Sequence, residues 1–186
     1  MIELKDLSKA YDHPVLEHRD FTFPDRGAVA LKGPSGSGKT TLLRLLAGLE
    51  KPDGGEICGL EGKKISVAFQ EARLLPFMSL LDNILLVRDK GETSREEAEE
   101  LLRFFKLDHA KEQKPDTLSG GEKCRAALAR SLYYGGDVYL WDEPTRELDA
   151  ENRVLVQTAL DRLKERALVI VSTHDPDLVF DEEWAL

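Results

Sequence analysis

The sequence predicts one α/β domain built on a mostly parallel sheet, and three observations predict it. A glycine-rich stretch at 33–41 joins a short apolar run at 28–31 to an apolar pattern of helical spacing at 42–46, in the order strand, loop, helix. The runs at 138–141 and 167–171 are apolar on both faces, as strands at the centre of a parallel sheet must be. Amphipathic helical patterns, clearest at 150–164, alternate with such runs, which is how parallel strands are connected.

Composition narrows the class. At 186 residues, 41% hydrophobic and 33% charged, the chain can bury one substantial core and reads as a soluble globular domain. It shows no apolar run of bilayer length and no signal sequence at its start, so a membrane link would go through a partner and the expected location is cytoplasmic. A net charge of −9 argues against a nucleic-acid partner, which a basic face would serve. Cys58 and Cys124 fit no metal or redox spacing and read as reduced structural residues.

Taken in order, residues 2–7 alternate apolar and polar, and Phe21-Thr22-Phe23 resumes the pattern after Asp12-His13-Pro14. A small antiparallel N-terminal element is therefore expected. Gly27 marks a turn before the central strand, and the helix after the glycine-rich loop should end at Gly48 in a left-handed cap. Pro52-Asp53-Gly54-Gly55 reads as a turn. Residues 65–69 read as a strand delivering Gln70, and 74–87 as a loop and then a helix, broken by Pro76. Thr93 or Ser94 would cap a charged helix in which Ala98, Leu101, Leu102 and Phe105 share a face. Helices are expected over 124–133 and 150–164, and a last strand over 167–172.

The chemistry starts at Gly33-Pro34-Ser35-Gly36-Ser37-Gly38-Lys39-Thr40-Thr41, which fits G-x-x-x-x-G-K-[ST] and makes the core that of a P-loop nucleotide-binding domain. Gly36 and Gly38 let the backbone approach a polyphosphate, and the amides that open the next helix aim its positive dipole end at the anion. Lys39 would reach the β- and γ-phosphates and Thr40 would ligate Mg²⁺. Ser119-Gly120-Gly121 before a helix is a second anion site by the same physics, which one phosphate loop leaves unexplained. Asp142 and Glu143 close an apolar strand and point in different directions, so one can serve the metal and the other act as a base. Tyr11 could stack on a base, Gln70 could bind Mg²⁺ and water, and His174 could face a γ-phosphate; alone, each reads as an ordinary structural residue.

Together these residues resemble the ATP-binding cassette (ABC) ATPase family over nearly the whole chain. Residues 33–41 are similar to its Walker A motif, Gln70 to the Q-loop glutamine, residues 118–122 to the LSGGQ signature, 138–143 to Walker B and His174 to the switch histidine. Tyr11 falls where that family places an adenine-stacking aromatic, and Leu148-Asp149 where it places the D-loop. The signature is the most specific of these, since many P-loop enzymes carry Walker motifs.

The resemblance implies an ABC ATPase fold occupying 1–186 as one domain, with a helical subdomain at roughly 74–133. It implies ATP hydrolysis in a head-to-tail dimer, each ATP held between one subunit's Walker A loop and the other's Ser119, Gly120, Gly121 and Glu122, with Asp149 at the shared interface. Thr40, Gln70 and Asp142 would hold Mg²⁺, Glu143 would be the base, and His174 and Gln70 would help place the water. Residues 69–77 resemble importers of the nitrate, sulfonate and taurine group, implying docking on a transmembrane permease at the inner face of the membrane; packing into the core fits that pattern equally. An exporter ATPase and a soluble ABC ATPase are the competing classes, and a small-molecule P-loop kinase leaves the signature unexplained. Three departures stand out. Glu122 replaces glutamine, putting an acid near the expected ribose. Arg146-Glu147 replaces a small Ser-Ala pair, adding bulk and charge at the expected interface. Only twelve residues follow His174, so no C-terminal regulatory domain is expected.

Overall fold

The computed structural model describes residues 1–89 and 91–186, which form two sheets and the helices around them. β1 (Ile2–Ala10) pairs antiparallel with β2 (Pro14–Phe23), in register Ile2↔Phe23 and Leu4↔Phe21. The expected N-terminal hairpin is therefore present. The second sheet holds β3 (Gly27–Lys32), β5 (Ile65–Ala68), β6 (Val138–Asp142), β7 (Leu168–Ser172) and β8 (Glu182–Ala185) in the order β5-β6-β7-β3-β8. Every pairing in it is parallel.

Strand alternation sorts the core into two layers. Ala28, Tyr139, Trp141, Val169 and Val171 face one way, onto a cluster completed by α2 (Leu80–Leu85), α3 (Arg95–Phe104), α4 (Gly120–Tyr134) and α5 (Ala150–Lys164). Val29, Leu31, Val138, Leu140, Leu168 and Ile170 face the other way, onto α1 (Lys39–Leu46) and the antiparallel sheet. Each fully buried aliphatic side chain contributes about 2 kcal/mol, so the parallel sheet is fixed by burial on both faces.

Helix ends follow local chemistry. Ser79, Ser94, Ser119 and Asp149 cap α2 to α5, each accepting from the backbone N–H three residues on. The C-terminus of α1 is closed by Gly48 in the left-handed region (φ 67), with Gly48 N–H on Leu45 O and Leu49 N–H on Arg44 O, both at 3.0 Å. That is the paired bonding of a Schellman cap.

Several expectations need correcting. Gly54 and Gly55, read as the end of a turn, begin β4 (Gly54–Cys58), which pairs antiparallel with β1. Gly55 is there for close approach: a Cβ on it would lie 2.3 Å from Lys5 O. Helix α4 starts at Gly120 and not Cys124, because the Ser119 cap outweighs the poor helix propensity of two glycines. β8 was not foreseen, since Glu182-Glu183-Trp184-Ala185 has no apolar alternation; its anchor is Trp184, stacked on Phe23 and Phe21 with centroids 4.6 and 5.1 Å apart. Among the described residues no helix is long and apolar enough to cross a membrane.

Candidate active site

At the C-terminal edge of the parallel strands lies a cleft of about 740 Å³, lined among others by Tyr11, Lys39, Thr40, Gln70, Asp142, Glu143 and His174. Its floor is the turn from β3 into α1. Gly38 is the N-cap of α1, with φ 98; no side chain caps the helix and no acid lies in its first turn. Among the described residues, the other four α-helices each have a side-chain cap and α1 has none, so its first amides are open to an anion.

Lys39 is only 7% exposed. Its ammonium donates to Gly33 O at 2.7 Å and Pro34 O at 3.1 Å and lies 3.2 Å from His174 Nε2, with no carboxylate in ion-pair contact among the described residues. An ammonium so deeply placed normally has an anionic partner. Ser37 adds a second opening: its hydroxyl oxygen is buried without a hydrogen-bond partner among the described residues. Ser35, Gly36 and Thr41 also line the cleft, while Gly33 and Pro34 serve it through their carbonyls.

Asp142 ends β6 nearly buried and accepts from the Thr40 hydroxyl at 3.1 and 2.9 Å. Glu143, one residue beyond the strand, takes a left-handed backbone conformation (φ 48) and turns toward His174. The His174 N–H donates to Glu143 Oε2 at 3.4 Å, and its ring Nε2 lies 3.4 Å from Glu143 Oε1. The segment after Gln70 is tied to α4, because Arg130 donates to Ala72 O at 2.7 Å and Arg73 O at 2.9 Å. Tyr11 stands half exposed at the rim, its phenol donating to Glu50.

The oxygen donors of Thr40, Asp142 and Gln70 around one cleft suit a hard cation, and Mg²⁺ commonly takes few protein ligands and completes its shell with phosphates. Among the described residues, no cluster of three His, Cys, Asp or Glu could hold a metal unaided. The donor set fits an ion that arrives with a nucleotide.

Ser119, Gly120, Gly121, Glu122 and Asp149 do not line this cleft. Asp149 is spent as the cap of α5, accepting from Asn152 N–H and Nδ2 at 2.9 Å each, which lowers its pKa. Glu122 is turned back on its own helix: Oε2 accepts from the Ser119 hydroxyl at 2.7 Å and the Ser119 N–H at 2.9 Å, and Oε1 lies 3.0 Å from His109 Nε2. Those bonds lower its pKa to about 2. Arg146 lines the cleft, whereas the Glu147 carboxylate lies over the signature helix: a Cβ on Gly120 would be 1.5 Å from Glu147 Oε2.

His13, Val15 and Arg153 also line the cleft and were not foreseen. Arg153 donates to Leu148 O at 3.1 Å and lies 3.5 Å from Asp175 Oδ2, linking the start of α5 to the loop that carries His174. Its position on the first turn of α5, after a strand ending in acids, was the available signal.

Comparison with known proteins places this geometry. The family model described as "ABC transporter" matches residues 16–146. The chain is 42% identical over 179 residues to the aliphatic sulfonates import ATP-binding protein SsuB 1 of Paracoccus denitrificans, covering 95% of this chain and 74% of that one. It is 47% identical over 152 residues to the SsuB of Granulibacter bethesdensis, covering 80% of this chain and 62% of that one. Its fold matches the ATP-binding cassette MJ0796, solved as a dimer in a post-hydrolysis state with ADP and Pi, at a TM-score of 0.88 and 29% identity, covering 96% of this chain and 90% of that one.

Proposed function

The chain belongs to the ABC transporter family, and from that premise we propose that it is the ATP-hydrolysing subunit of an importer, working as a head-to-tail pair beneath a membrane permease. The observation that carries the reading is the buried Lys39 ammonium, bonded to two loop carbonyls and to no carboxylate among the described residues, beside the uncapped start of α1. A polyphosphate supplies the charge that both lack.

In this reading the loop amides and Lys39 grip the β- and γ-phosphates, and Tyr11 stacks on the base. Thr40, Gln70 and Asp142 hold Mg²⁺, which when bound neutralises phosphate charge. Glu143 accepts the proton of the attacking water, while Gln70 and His174 orient that water. Ser119, Gly120 and Gly121 close over the γ-phosphate from the second subunit, with Glu122 held at its own cap and Asp149 beside the interface. Residues 74–133 act as the helical subdomain. Phe77, 70% exposed, and Leu86, 45% exposed, lie on the segment that follows Gln70 and suit docking on a permease at the inner membrane face. The relatives point to aliphatic sulfonates as the solute class.

The mass in solution of Glu143→Gln, measured by light scattering, tests the shared site. A dimer in Mg-ATP and a monomer in Mg-ADP are expected. A monomer in both, with nucleotide bound, would refute self-pairing through the signature.

A further inference from the structure

Ser172 is the one polar residue of β7, in a strand otherwise made of Leu168, Val169, Ile170 and Val171, and it is fully buried. A buried hydroxyl in such a strand is unfavourable unless it is bonded. Parallel pairing sets it directly across from Asp142. Its hydroxyl donates to Asp142 Oδ1. The same oxygen accepts from the Glu143 N–H at 3.1 Å, and that N–H also reaches Ser172 O at 3.0 Å. One side chain thus touches both acidic residues at the end of β6.

Both residues need holding. Glu143 sits at φ 48, a conformation that a side chain other than glycine resists, so its neighbours must fix it. Asp142 accepts from two hydroxyls, those of Thr40 and Ser172. Of these, only Ser172 is fully buried, and it does not line the cleft.

We propose that Ser172 is a positioning residue for hydrolysis, bridging Asp142 and the strained Glu143 backbone so that the Glu143 carboxylate is presented to the γ-phosphate. The inference rests on Glu143 acting as the base. It assigns Ser172 no contact with nucleotide and no proton transfer.

The test compares wild type, Ser172→Ala, Ser172→Cys and Glu143→Gln in steady-state ATP hydrolysis, alongside titration with a fluorescent ATP analogue and thermal unfolding. Cysteine keeps the size of the side chain while weakening its hydrogen bonds, and so guards against a packing artefact. In both Ser172 variants kcat should fall by roughly 10- to 100-fold while KM and analogue affinity stay within about threefold. A purely structural role would lower the unfolding temperature and leave the kcat of the folded protein unchanged; that result, beside an inactive Glu143→Gln, overturns the proposal alone. Full activity of Glu143→Gln would overturn the assignment of the base and the proposal with it.

Discussion

Glu122 shows how one substituted residue can settle into a different job. Its carboxylate closes a capping box with Ser119, and the lowered pKa, about 2 against an ordinary 4.5, measures how strongly the folded state favours the charged form. Because the folded pKa is the lower one, the stabilisation is complete above about pH 4.5 and is lost as pH falls toward 2. After discounting for partial exposure it amounts to about 1–2 kcal/mol. Urea unfolding should find Glu122→Gln less stable than wild type at pH 6, with the gap narrowing by most of that amount at pH 2.5. That Lys39 and Thr40 line one cleft was legible in the sequence because their loop spacing is itself a chemical signal, whereas His174 was singled out only through the family resemblance. The capping roles of Glu122 and Asp149 were not legible, because a carboxylate near a helix start looks the same whether it faces a ligand or its own backbone.

Elements bounded by strong local chemistry were also legible. Gly48 ends α1 as its position predicts, and nothing lies within 4 Å of where its Cβ would be. Gly48→Ala should therefore lose about 1 kcal/mol through backbone strain, with no steric clash, as a lower midpoint in thermal unfolding at unchanged ATP affinity. Two edge strands, β4 and β8, were not legible, whereas the edge strands β2 and β5 were. β4 and β8 are short and partly exposed, and they take their place from β1 and β3, which a one-dimensional pattern cannot show. The start of α4 was hidden for a related reason: two glycines argue against a helix until Ser119 and Glu122 are seen to close its first turn.

Across the whole molecule, the parallel sheet could be read from sequence because burial on both faces leaves β6 and β7 no polar alternation. How the signature meets a partner could not, since that depends on which side chains the chain folds over it. The Glu147 carboxylate lies over Gly120, so in the proposed head-to-tail pairing an anion rests where the second subunit's phosphate would arrive. Glu147→Ala should consequently pair more readily, with the ATP-dependent dimer of the Glu143→Gln background forming at a several-fold lower protein concentration by light scattering. Weaker pairing would instead make Glu147 a contributor to the interface, and equal pairing would show that its carboxylate does not oppose the dimer.

The tether on Lys39 has its own consequence for how nucleotide affinity should be understood. The lysine already has internal ligands, two carbonyls of its own loop and an imidazole from the far side of the cleft. Entry of a triphosphate is thus an exchange and not the filling of a vacant socket, and the measured affinity is a difference between two sets of contacts. Removing the His174 ring would weaken the internal set, so a less active protein can hold its nucleotide more tightly than the active one.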